Sequence, residues 1–311
     1  MMNIALCTDE NFSIPALVCI TSIFENNKNE ETYVYVLTDG LSENARNKFS
    51  KLAQLYCHII EIIDIDRHRF DGLTVSERYP VSMYYRFLLP EMLPSEKVVL
   101  YLDCDIIVRH SLKNVFSTNL DGYALGAVVS QSCDWVKWAN DYKLATPFFN
   151  SGVLLMNLEY WREYKIFDKL VTWLANYKKE LWLPDQSALN KVLEGKTIYL
   201  NYTYNFQERW TRDLEGSDMH FSKWDEISKI GQDPIIVHYC DAEKPWFLES
   251  KHKFKDDFLL YAKLHDFIGF KLIKRYSCIY KLAERFDKIG LKLRYWAEML
   301  QKKEVKKLKI S

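Results

Sequence analysis

The first third of the chain alternates between short apolar runs and longer segments with apolar residues on one helical face. The runs predict strands at residues 3–8, 32–37 and 58–63. The segments between them predict helices at 13–26 and 42–56, with Ser13 as the cap of the first helix and Ser42 opening the second. This alternation is typical of a parallel, right-handed, doubly wound sheet. The first strand–helix turn has no GxGxxG sequence, which argues against a nicotinamide or flavin site.

The run at residues 98–108 is apolar except for Asp103 and Asp105, with Cys104 between them. It predicts one buried strand in which the two carboxylates lie on the same side of the backbone. A bare buried carboxylate loses its hydration, and a cation would offset that loss. Hard oxygen ligands suit Mg²⁺ or Mn²⁺, with positions left open for a diphosphate. The alternative is a strand end whose aspartates cap a turn.

The remaining pattern continues the α/β alternation. It predicts a helix at 81–89, strands at 122–129 and 152–158, helices at 159–177 (one or two pieces) and 186–193, and strands at 197–200 and 234–237. Residues 131–146 are aromatic and polar without a clear period, and loops of that length in compact domains are often functional.

Length and composition favour one large α/β domain, or one domain with an appendage. The 311 residues are 48% apolar and 27% charged, which excludes a mainly disordered protein. Seven scattered cysteines without a CxxC pair indicate reduced thiols and a cytoplasmic location. We expect no signal peptide, and no stretch approaches the roughly 18 apolar residues of a membrane span.

The C-terminal part differs in charge from the rest. The net charge is zero overall, yet residues 269–311 hold 13 Lys and Arg against 4 Asp and Glu. From residue 251, aromatic residues recur at three- and four-residue steps with basic residues between them. This pattern predicts a helical region, 251–311, that attaches to an anionic membrane surface. The alternative is an ordinary helical region packed on a domain formed by residues 1–250.

Six short motifs occur in order along residues 3–250. They are DEN at 9–11, YYR at 84–86, LYLDCD at 100–105, FNSGVLLMNL at 149–158, DQ at 185–186, and HYC with KPW at 238–246. In this combination the chain is similar to glycosyltransferase family 8, the retaining GT-A enzymes that include bacterial lipopolysaccharide galactosyl- and glucosyltransferases. The resemblance implies an α/β GT-A fold: a Rossmann-like, mostly parallel mixed sheet flanked by helices.

The resemblance also implies roles for individual residues. Asp103, Asp105 and His238 would hold Mn²⁺, with Mg²⁺ as a substitute, and Lys244 would contact the diphosphate and stabilise the leaving UDP. Asp185 and Gln186 would lie at the donor sugar, where Gln186 positions substrate and stabilises positive charge. The substrate-binding set further includes Cys7, Asp9, Asn11, Arg78, Arg86, Cys104, Asn150, Ser151 and Asp241.

Two positions depart from the family pattern. Asp241 stands where a glycine is common, and a carboxylate there is awkward beside a diphosphate. Arg78 stands where some members have histidine, and it could add a phosphate contact. The expected acceptor loop, residues 131–148, matches no family motif.

The function implied is transfer of galactose or glucose from a UDP-sugar to a glycolipid or oligosaccharide, on the inner face of the membrane and with no nucleic-acid partner. One alternative is a phosphatase of the haloacid dehalogenase type, although Ile107 stands where that signature has Thr or Val. A second alternative is a UDP-sugar binder without catalysis.

Overall fold

A computed structural model describes residues 1–76, 80–131, 135–177, 181, 183–208, 224–240 and 243–274. The predicted site residues Arg78 and Asp241 lie outside the described residues, as does the basic tail after Lys274. Among the described residues, no helix is long and apolar enough to span a bilayer.

The centre of the fold is a mixed seven-stranded sheet in the order β3-β2-β1-β4-β7-β6-β8. Strands β1 to β4 are parallel, β7 is antiparallel to β4 and β6, and β8 is parallel to β6. A second sheet pairs β5 with β9. The strands are β1 Met2–Cys7, β2 Thr32–Thr38, β3 Ile59–Asp64, β4 Val98–Leu102, β5 Ile106–Val108, β6 Leu125–Val129, β7 Phe149–Asn157, β8 Thr197–Tyr199 and β9 Ile236–His238.

Helices cover both faces of the large sheet. They are α1 Ser13–Asn26, α2 Glu43–Tyr56, α3 Leu89–Met92, α4 Trp135–Asp141, α5 Leu158–Glu163, α6 Ile166–Asn176, α7 Pro184–Val192, α8 Trp224–Ile230 and α9 Lys255–Ala262. One apolar core lies between the sheet and α1, α2 and α9, and the other lies beneath α5, α6 and α7. This confirms the predicted α/β architecture of a mostly parallel mixed sheet flanked by helices.

Local chemistry explains where the early helices begin. The Ser42 hydroxyl accepts a hydrogen bond from the Ala45 backbone N–H and caps α2 as expected. The predicted cap of α1 is wrong, because Ser13 is already helical. A 3-10 turn, Glu10–Phe12, precedes it, and Asp9 caps that turn by accepting from the Phe12 N–H.

The run at residues 98–108 is not one strand, and that prediction is wrong. β4 ends at Leu102, and the chain then leaves the large sheet to form β5, which pairs with β9. The Asp103 N–H still donates to the Gly152 carbonyl at 2.8 Å, so the two aspartates lie at the junction of the sheets. They are partly exposed there, which lowers the cost of burying them relative to a mid-strand position.

One further element differs from the predictions, because α4 lies within the predicted loop. The helix predicted at 81–89 is a 3-10 helix over residues 81–88. The segment 159–177 takes the predicted two-piece form, since it is divided into α5 and α6 at Lys165, which has a φ of 48°.

The described part of the C-terminal region packs on the sheet domain. Phe254, Phe258, Tyr261 and Ile268 are buried in the same core as α1. For these residues the packed-helix alternative is the correct one. The domain boundary at residue 250 and the membrane role of the later tail stay predictions.

Candidate active site

The two aspartates and one histidine form a compact cluster where β4 and β9 end and β5 begins. One ligand atom from each of Asp103, Asp105 and His238 lies within 4.8 Å of the others. The His238 Nε2 is 3.3 Å from Asp105 Oδ1 and 3.7 Å from Asp103 Oδ2. β5–β9 pairing sets Ile106 opposite His238, which brings the histidine beside the Asp-x-Asp turn. Two carboxylates and an imidazole suit Mn²⁺ or Mg²⁺.

Gly152 keeps this cluster open. A Cβ on Gly152 would lie 2.1 Å from His238 Cε1 and 2.8 Å from Asp103 Oδ2. Any side chain at this position of β7 would therefore fill the space between the candidate ligands. The glycine and the donor set both fit a site that holds a cation.

Asp103 is held by two donors on one oxygen. Its Oδ1 accepts from the Tyr101 hydroxyl at 2.7 Å and from Arg86 Nη2 at 3.0 Å. Arg86 is buried, lies 4.3 Å over the Tyr101 ring, and also donates to the Ser151 carbonyl. These bonds leave Oδ2 of Asp103 directed toward His238. Tyr101 was not among the predicted site residues, because its place before the aspartates reads as an ordinary buried strand position.

Lys244 pairs with the second aspartate. Its ammonium donates to Asp105 Oδ2 at 2.5 Å and to the Tyr239 carbonyl at 2.6 Å. Burial raises the pKa of Asp105, but Lys244 and His238 outweigh burial and hold that pKa well below its usual range. Asp105 is therefore a carboxylate at neutral pH, as a cation ligand must be.

The first turn of α7 brings two more predicted residues to the site. Asp185 Oδ2 accepts from the Ser151 hydroxyl at 3.2 Å and lies 3.5 Å from Arg86 Nη2. Gln186 Oε1 accepts from the Ser151 N–H at 2.9 Å, while its buried Nε2 has no partner among the described residues. Burial raises the pKa of Asp185, and Arg86 offsets this only in part.

Asn190 fastens α7 to β7. Its side chain accepts from the Phe149 N–H at 2.8 Å and donates to the Phe149 and Gln186 carbonyls. This amide fixes the position of α7 along β7, and it therefore also fixes the positions of Asp185 and Gln186. Asn190 was not predicted, since nothing in its sequence surroundings separates it from an ordinary helix residue.

Four predicted residues lie at or near the end of β1. Asp9 caps the 3-10 turn there and Asn11 lies within it, at the strand edge where open α/β sheets bind ligands. The Cys104 thiol donates to the Cys7 carbonyl at 3.2 Å, and both thiols are buried. The side chains of Cys7 and Cys104 therefore pack in the core, and a contact of these two residues with substrate would have to come from their backbones.

The fold has a solved counterpart in a structure described as the galactosyltransferase LgtC in complex with donor and acceptor sugar analogues. The two have a TM-score of 0.75 and 27% identity, over 84% of this chain and 95% of that one. Together with the site, this likeness defines a glycosyltransferase of the GT-A fold.

Sequence comparison identifies the family. The model of Glycosyl transferase family 8 matches residues 3–249, and the chain belongs to that family. A lipopolysaccharide 1,2-glucosyltransferase of Escherichia coli is 30% identical over 78% of this chain and 73% of its own length. General stress protein A of Bacillus subtilis is 24% identical over 84% of this chain and 93% of its own length. Family membership excludes the phosphatase alternative.

Proposed function

We propose that this protein is a retaining, metal-dependent hexosyltransferase that uses UDP-galactose or UDP-glucose. The observation that carries the proposal is the Asp103, Asp105 and His238 cluster around Gly152, in a chain of this family. A glycolipid or oligosaccharide is the proposed acceptor. One relative is named a glucosyltransferase and the solved counterpart is described as a galactosyltransferase, which supports both donor sugars equally.

Asp103, Asp105 and His238 would hold Mn²⁺ or Mg²⁺, which supplies Lewis-acid stabilisation of the departing diphosphate. Lys244 lies beside Asp105, so its ammonium could move from that carboxylate onto a phosphate oxygen. A fixed positive charge at the leaving group favours the transition state more than the ground state. Asp9 and Asn11 are proposed to contact the nucleoside.

The donor sugar is proposed to lie against β7 and α7. Asn150 commits its Oδ1 to the Gly152 N–H, so its Nδ2 is the group that a sugar hydroxyl would meet. Gln186 Nε2 and Asp185 lie behind Ser151, where they could position the sugar and stabilise positive charge as the glycosidic bond breaks. An amide is a poor nucleophile, and positioning is therefore the role we assign to Gln186.

Metal dependence is tested by calorimetry of UDP binding with Mn²⁺ and with a chelator. We expect tight binding only with the ion, because Asp103, Asp105 and His238 would hold it and it would supply positive charge for the diphosphate. Asp105→Asn should lower turnover by about a thousandfold, since it removes several kcal/mol of charge stabilisation. Asp121→Asn, at an exposed turn, is the matched control. Equal UDP affinity under both conditions would sink the metal assignment.

The donor and the stereochemistry are tested together by incubating the enzyme with UDP-sugars and acceptors. We expect transfer from UDP-galactose or UDP-glucose and an α linkage, read from the anomeric proton by NMR. A β linkage would contradict retention. UDP binding without transfer or hydrolysis of any UDP-sugar would favour the non-catalytic binder.

A further inference from the structure

A chain of amide side chains lies behind the candidate metal ligands, and no predicted site residue except Asn150, which is half-buried, belongs to it. Asn205 is at its centre and is fully buried. The Asn205 side chain lies 2.9 Å from Asn150 Oδ1 on one side and 3.0 Å from His238 Nδ1 on the other. It therefore connects β7 to the histidine that faces both aspartates.

The backbone fixes the direction of every bond in this chain. The Gly152 N–H can only donate, and it donates to Asn150 at 2.9 Å, so the Asn150 atom is the oxygen. Asn205 must then present its NH₂ group to that oxygen and its own oxygen to His238. The imidazole in turn must donate from Nδ1. When the ring is neutral, the lone pair lies on Nε2, the nitrogen that faces Asp105.

We infer that Asn205 is a positioning residue that holds His238 in the orientation and tautomer needed to bind a cation. Metal-bound histidines usually donate their second ring N–H to an acceptor that fixes the ring, and loss of that acceptor weakens metal binding by about 10- to 100-fold. Here the acceptor is a neutral amide, so it orients the ring without adding charge. The inference rests on the proposed metal-dependent function.

The position of Asn205 is itself fixed. The next residue, Phe206, forms a parallel bridge with Val237, and the His238 N–H donates to the Phe206 carbonyl at 2.9 Å. The Asn205 carbonyl accepts from the buried Gln131 side chain at 2.7 Å. Backbone and side chain are both held, so the amide has little freedom to follow a displaced histidine.

The first measurement reads the Nδ1 proton of His238 and needs neither activity nor a metal. In protein labelled with ¹⁵N-histidine, we expect a slowly exchanging imidazole proton whose signal is lost in His238→Asn. It should persist in Asn205→Asp, which keeps an acceptor oxygen, and exchange rapidly with solvent in Asn205→Ala. A signal that is unchanged in Asn205→Ala would overturn the inference.

The second measurement is Mn²⁺ affinity by electron paramagnetic resonance. Asn205→Ala should bind Mn²⁺ about 10- to 100-fold more weakly, and Asn205→Asp, which keeps the acceptor for His238 Nδ1 but loses the NH₂ donor to Asn150, should bind it more tightly than Asn205→Ala. The matched control is Asn27→Ala. Asn27 is also buried and bonds the Ile23 carbonyl and the Leu112 N–H, so its loss should lower Tm without changing Mn²⁺ affinity.

The two proposals fail separately. If the natural protein does not bind Mn²⁺ while the Nδ1 proton behaves as expected, the proposed metal-dependent function fails and the amide chain stands. If Mn²⁺ binds and Asn205→Ala binds it equally well, the positioning role is wrong and the function stands. A loss of affinity in Asn27→Ala equal to that in Asn205→Ala would show general destabilisation and overturn the positioning role.

Discussion

Gly152 shows how strongly one residue can constrain the site. Gly152→Ala should abolish Mn²⁺ binding, because the new Cβ would lie 2.1 Å from a His238 ring carbon and push the ring off the aspartates. Metal titration is the direct measurement. Gly126→Ala is the control, since its Cβ would meet only the Leu200 side chain, at 3.1 Å. Mn²⁺ binding by a folded Gly152→Ala protein would refute this account of the cluster.

Arg86 connects the two halves of the site through its guanidinium group. It bonds Asp103 and the Ser151 carbonyl and lies near Asp185. Arg86→Lys keeps the charge but loses the planar fork, which leaves either the Asp103 carboxylate or the buried Ser151 carbonyl short of a donor. We expect lower Tm and at least tenfold lower turnover, because a buried unsatisfied partner costs about 1–3 kcal/mol.

The matched control for Arg86→Lys is Arg109→Lys. Arg109 pairs with Asp233 and Asp257 after β5 and contacts no candidate ligand. It should lower Tm slightly and leave turnover unchanged. Equal turnover in the two variants would show that the Arg86 fork is not needed for catalysis.

The residues that the sequence predicted and those it missed differ in kind. Asp103, Asp105 and His238 stand in motifs, and the structure brings them together. Asn205 and Tyr101 lie behind them and act only through contacts that depend on the fold. A buried asparagine near a short strand has the same local sequence signal as a loop asparagine.

At the scale of elements, the early strand–helix units are predicted well because each has its own hydrophobic period. The break between β4 and β5 is not predicted. Both strands are apolar, and they differ only in the strands with which they pair. The partner of β5 is β9, three residues long and distant in sequence. Long-range pairing of such short strands leaves no mark on local periodicity.

The docking of α7 on β7 gives a prediction at this scale. Asn190→Ala removes three buried hydrogen bonds that hold Phe149 and Gln186. We expect a loss of about 1–3 kcal/mol in unfolding free energy and a fall in turnover, because Asp185 and Gln186 move with the helix. Urea denaturation and a transfer assay measure the two effects.

Asn157→Ala is the control for the α7 prediction. Asn157 caps α5 by accepting from the Tyr160 N–H, and loss of such a cap costs about 1 kcal/mol. Its turnover should match the natural protein. If Asn190→Ala is destabilised but equally active, the helix position does not control the site.

At the scale of the whole molecule, the region after residue 250 divides into two parts. Phe258 and Ile268 are fully buried against the sheet domain, and Ile273 exchanges backbone hydrogen bonds with Trp246 and Leu248. Trp246 and Leu248, which Ile273 bonds, follow just after Lys244 in the sequence. The described segment through Lys274 therefore belongs to the packing that supports the site. This conclusion does not depend on the role of the later tail.

Two truncations separate these parts. Removal of residues 275–311 should leave Tm and UDP-hexose hydrolysis nearly unchanged and abolish co-sedimentation with anionic vesicles, because this tail carries 11 Lys and Arg against 4 Asp and Glu. Removal from residue 254 onward should instead prevent folding, since it deletes Phe258, and losing one buried Phe side chain costs about 3–5 kcal/mol. If the full chain stays in the supernatant at low salt, the proposed membrane role of the tail is wrong.

If the deletion of residues 275–311 already lowers Tm sharply, residues after 274 contribute to the fold and the basic segment is not a separate anchor.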